Sequence, residues 1–98
     1  MARHLADSLH AEDLQNFLHE NGHEHLRVRH HGALLIIESG PKDDPVSHAR
    51  FRRDTVNYWM LEMATHTGKW EKTGLRGSFN ELMKMLVYDF GWVLTPIE

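Results

Sequence analysis

Histidine and arginine are the residue types in this chain best suited to chemistry beyond packing. Five of the nine histidines fall in FLHENGHEHLRVRHH, residues 17–31. Within that run His19-Glu20-Asn21-Gly22-His23 has the spacing H-E-x-x-H. On one unbroken helix this spacing lets two imidazoles converge on Zn²⁺ while the glutamate activates a bound water. The helix must continue through both histidines for that to work. Here the residues between them are Asn-Gly, a helix-stopping pair, and the apolar stripe Ala11, Leu14, Phe17, Leu18 ends before them. A water-activating zinc centre of that design is therefore not expected. A looser metal set remains, made of His19, His23 and His25 with His31 within reach, because imidazole suits Zn²⁺, Ni²⁺ and Cu²⁺. The plainer alternative is a solvated helix end, with His19 near the negative end of the helix dipole.

The arginines suggest a second chemistry. Residues 24–30 alternate as a strand, with Leu26, Val28 and His30 on one side and His25, Arg27 and Arg29 on the other. A later strand, Val46 to Asp54, puts Arg50 and Arg52 on one side and Ala49 and Phe51 on the other. If both flank the apolar run ALLIIE (33–38), the arginines form a cationic stripe beside Leu34 and Ile36, with Tyr58 on the same face. Guanidinium forks match carboxylate and phosphate oxygens in pairs. The candidate binding residues are thus His25, Arg27, Arg29, Arg50, Arg52 and Tyr58. The plainer alternative is a solvated sheet face balanced by Glu38, Glu62 and Glu71.

Other chemistries find no support. There is no cysteine, which removes disulfides, thiolate metal sites and cysteine nucleophiles. Ser8, Ser39, Ser47 and Ser78 lack a nucleophile-elbow context, and no glycine pattern joins a strand to a helix as a phosphate loop would.

The elements that must position these residues can be read in order. Residues 9–20 predict a helix with Ser8 as N-cap, stopped by Asn21-Gly22. Strands follow at 24–30 and 33–38, the second apolar on both faces and so covered twice or shielded by long arginine stems. SGPKDDP (39–45) is a loop. Val46–Asp54 and Val56–Thr65 read as two strands, or as one long strand bent near Asp54. Thr67-Gly68 turns the chain into Lys69–Thr73. With a two-residue turn Trp70 opposes Thr65 and joins the face of Trp59, Leu61 and Met63. Ser78-Phe79-Asn80-Glu81 is a capping box opening a helix that Gly91 ends. Trp92–Thr95 is expected as a short closing strand. Trp59, Trp70, Phe79, Phe90 and Trp92 are expected in the core. The order α-β-β-β(β)-β-α-β predicts an α+β two-layer sandwich: an antiparallel sheet of about five strands with two helices on one face.

Ninety-eight residues fit a single domain, 1–98. The composition, 41% hydrophobic and 26% charged, is that of a globular protein. No apolar run has the length of a signal peptide or membrane span, so a cytoplasmic location without membrane contact is expected. The net charge of −3 disfavours coating nucleic acid by bulk charge. The reading is a non-catalytic binding or accessory domain that engages a protein partner, or its own copy as a homodimer, through the arginine face or a strand edge. Nucleic-acid binding on the same Arg/His face is the first alternative, and a histidine-based metal hydrolase the second. No cofactor is expected; zinc is the one that the histidines would admit.

Overall fold

The computed structural model describes residues 8–55, 58–65 and 69–94, the side chain of Val93 excepted. The strand start at Val56, the Thr67-Gly68 turn and the chain from Thr95 onward lie outside the described residues. Helix α1 spans Ser8–Glu20, followed by strands β1 (Arg27–His31), β2 (Leu34–Ser39), β3 (Val46–Arg53), β4 (Trp59–Ala64) and β5 (Trp70–Gly77). Helix α2 spans Phe79–Asp89, and a 3₁₀ turn, Gly91–Leu94, ends the described chain. All five strands form one open antiparallel sheet in chain order. The class is α+β, as the alternation of residues predicts.

α1 ends in a Schellman motif. Gly22 takes φ 91°, the His23 amide donates to Leu18 O (2.9 Å) and the Gly22 amide to His19 O (3.2 Å). A side chain at Gly22 would strain this backbone, which is why the Asn-Gly step ends the helix. His23 is therefore outside α1, and the two histidines do not stack on successive turns.

α2 begins as its sequence predicts. Ser78 Oγ accepts from the Glu81 amide at 3.2 Å, and Glu81 Oε1 accepts from the Ser78 amide at 3.3 Å. Ser78→Ala is expected to lower the unfolding free energy by about 1 kcal/mol, measured by urea denaturation, with an unchanged m-value.

The core forms because alternate residues of the middle strands meet the helix stripes. Leu35, Ile37, Ala49, Phe51, Trp59 and Leu61 join Leu14 and Leu18 of α1 and Leu82, Met83 and Leu86 of α2 in one cluster with Leu26 and Leu94. Register explains the alignment: Leu35 opposes Phe51, which opposes Leu61. The residues between them, Ile36, Glu38, Arg50, Arg52 and Glu62, have the opposite parity along their strands.

Of the two readings of residues 46–64, two strands is the one found: Asp54 and Thr55 donate their amides to Tyr58 O, and β3 and β4 pair as a hairpin. Two other expectations fail. The expected closing strand, Trp92–Thr95, is absent from its described part: residues 91–94 coil as a 3₁₀ turn that buries Leu94 and leaves Trp92 71% exposed. Trp70 is not in the core. The Thr65 amide donates to Lys69 O at 2.8 Å, so Ala64 opposes Trp70. That is one residue away from the expected pairing, and a one-residue slip moves a side chain to the other face.

Candidate binding face

Strand register assembles the arginines. One row across the sheet runs Arg29, Ile36, Arg50, Glu62, Lys72. The next runs His31, Leu34, Arg52, Met60, Arg76, and Arg27 opposes Glu38 beside them. The stripe expected from the alternating sequence therefore exists, and β2 runs through its centre.

Two carboxylates organise it. Glu38 is buried and accepts from Arg27 Nε on Oε1 (3.3 Å) and from Arg29 Nε on Oε2 (3.5 Å). Glu62 is buried too, and accepts a fork from Arg50, Nε at 3.1 Å and a terminal nitrogen at 3.3 Å, plus Arg52 Nε at 3.0 Å. Burial, the largest single influence on the Glu62 carboxyl, pushes its pKa up. The hydrogen bonds from Arg50 and Arg52 and their charges together outweigh it, leaving the pKa below the ordinary value. Ile36 is buried although no helix is needed to cover it; Arg29 and Arg50 flank it across the sheet. The long-stem shielding read from the sequence is consistent with this.

The four arginines are not equivalent. Arg50 has a side chain 15% exposed, forked onto Glu62 and lying over the Trp70 ring at 4.3 Å. Arg27 is 27% exposed and also donates to Gly40 O (2.6 Å) and Pro41 O (3.5 Å). These two hold the carboxylates. Arg29 and Arg52 are 51% and 43% exposed and touch their carboxylates through Nε alone, so their terminal N–H groups face outward. At the β5 side Arg76 pairs with Asp54 and lies 5.7 Å from the Tyr58 ring centre.

No known protein family, curated protein or solved structure matches the chain.

The histidines go elsewhere. His25 lies before β1, and its Nε2 meets Leu94 O at 2.7 Å, away from the Arg27–Glu38–Arg29 group. His19 Nε2 meets Leu26 O at 2.7 Å, tying the end of α1 to the start of β1. His23 lies with its ring centre 6.1 Å from that of His25. Burial, then the charge of His25, lowers the His23 pKa. Its neutral form is thus favoured in the fold, and stability drops as pH falls below about 6.5. The sequence reading missed His48. A register irregularity at Ile37/Glu38 places this buried residue 2.8 Å from Ser39 Oγ, with its ring 6.3 Å from that of His25. A residue that a strand irregularity shifts out of register is not visible in the alternation of VSHARF, so no sequence signal marked it. Among the described residues, no group of three or more histidine, aspartate or glutamate side chains is placed to hold a metal ion. No helix of the described residues is long and apolar enough to cross a membrane.

Proposed function

We propose that this chain is a binding module whose arginine face docks an acidic surface of a protein partner. The observation that carries this reading is the charge count: four arginines surround two buried carboxylates, and the surplus sits on Arg29 and Arg52 with terminal donors turned outward. Carboxylates of a partner supply the complementary acceptors. Leu34, partly exposed beside Arg52, adds apolar contact at the centre.

Two features favour a protein over a nucleic acid. Trp70 already lies beneath Arg50, and Arg76 lies by Tyr58, so neither ring offers a bare stacking platform. The chain as a whole is acidic. A second copy is disfavoured on this face because two equal cationic surpluses would oppose each other. At the β1 edge, the outward Val28 amide is already taken by Gln15 Oε1 at 3.0 Å.

The test is a fluorescence titration with a labelled glutamate-rich peptide and with oligo-dT, at low and physiological salt. The peptide is expected to bind, and Arg29→Gln and Arg52→Gln are each expected to weaken it about fivefold, the ~1 kcal/mol of one half-exposed charged contact. Preferred binding of oligo-dT with a steep salt slope would transfer the face to nucleic acid. A stable dimer in sedimentation that Arg52→Glu disperses would transfer it to self-association.

A further inference from the structure

One end of the arginine face opens into a cleft of about 400 Å³ lined by Arg27, Val28, Arg29, Glu38, Lys42 and Pro45. That volume is within the range of small-ligand sites. Its charge is uneven: three cations line it against one carboxylate. Glu38 is buried and both its neighbours reach it through Nε, so it is spent on holding them. Arg27 is fixed further by the carbonyls of Gly40 and Pro41, which belong to the same loop that carries Lys42. The loop and β1 are therefore braced together around the opening. Arg29 keeps its terminal fork free, and among the described residues Lys42 has no carboxylate partner.

We propose that this cleft binds the phosphoryl group of a phosphate monoester. The surplus of two positive charges matches the charge of a monoester near neutral pH, about −1.5 to −2. Arg29 contributes a planar pair of donors for two phosphoryl oxygens, and Lys42 contributes a point charge to the third. Exposed Pro45 offers an apolar contact for the group that bears the phosphate. A single carboxylate would leave one of the two free cations uncompensated. The proposal rests on the face being an anion-binding surface, and it adds the ligand chemistry at one end of it.

The experiment is an NMR titration of backbone amides and arginine Nε–H signals with phenyl phosphate, benzoate and inorganic phosphate. Phenyl phosphate is expected to shift Arg29 and Lys42 and to bind about tenfold more tightly than benzoate, as a second charge contact of ~1.4 kcal/mol would give. Lys42→Gln, which removes no internal contact, is expected to weaken phenyl phosphate about fivefold with an unchanged spectrum elsewhere. A phosphoserine peptide and free phosphoserine then identify the source: tighter peptide binding assigns a protein-borne phosphoryl group, and equal binding a free small molecule. Benzoate binding as tightly as phenyl phosphate would overturn the proposal, as would a Lys42→Gln protein that binds like the wild type. Either failure would leave the glutamate-peptide result at Arg52 standing, so it would be distinct from failure of the docking reading.

Discussion

Trp59→Ala is expected to lower the unfolding free energy by about 4 kcal/mol, within the ~3–5 kcal/mol seen when a large buried aromatic is truncated. Trp59 is almost completely buried at the start of β4. Its ring makes an edge contact with His10 of α1 at 5.0 Å and lies 5.2 Å from Phe79 of α2. Phe79 in turn lies 5.9 Å from Phe51 of β3. One side chain thus joins both helices to the sheet, and its removal leaves a cavity bounded by three elements. Domains of this size have only ~5–15 kcal/mol in total. The midpoint of thermal unfolding should fall by about 15–30 °C, using ~4–8 °C per kcal/mol. Trp59→Phe retains a ring against His10 and Phe79 and should cost less than half as much. A loss below ~1 kcal/mol for the alanine variant, which only a site that collapses fully would show, would refute this role for Trp59.

Glu62→Ala should be the most damaging change outside the core, at about 2–3 kcal/mol. Removing one member of a fully buried ion pair costs ~3–5 kcal/mol because the partner charge is left without compensation. The figure is lower here because Arg52 is nearly half exposed and can turn to water, whereas Arg50 cannot do so without leaving Trp70. Replacing Arg50, Glu62 and Arg52 together by Met, Leu and Met should restore stability to within about 1 kcal/mol of the wild type. The same triple variant should lose binding of the acidic peptide. Stability and docking would then be separated in one protein. The pH dependence has a definite sign. The folded Glu62 carboxyl has a depressed pKa, so its contribution is complete above the unfolded value of about 4.3 and is lost as pH falls through the folded value. Urea titrations across pH 3–6 should show a shallower acid decline for Glu62→Gln than for the wild type.

How much of this was legible in the sequence depended on the range of the interaction. The Asn-Gly stop and the Ser78 box involve residues within five positions of one another, and both formed as expected. The pairing of arginine parity with Leu34 and Ile36 was also legible, because strand alternation is a local rule. The side of the sheet that holds Trp70 was not. It depends on how Thr65 and Lys69 close the β4–β5 connection through backbone and hydroxyl hydrogen bonds, which no composition signal specifies. The division of labour among the arginines was hidden for a similar reason. Arg27 is distinguished from Arg29 by carbonyls of the loop after β2, thirteen and fourteen residues away. His25 was assigned to the arginine face by starting β1 three residues too early; a carbonyl of the 3₁₀ turn, distant in sequence, takes its ring instead.

The chain-order arrangement of the five strands also bears on how fast the protein acquires its structure. Each strand hydrogen-bonds to its nearest predecessor, and α1 and α2 pack beside β1 and β5, their own neighbours along the chain. Loop-closure entropy is therefore spent in small successive steps, and long-range closure is left to the meeting of α1 with α2 and β4 and of the 3₁₀ turn with β3 and His25. For a protein built mainly of sheet, this topology places folding toward the fast end, with hairpins forming before the ends of the chain come together.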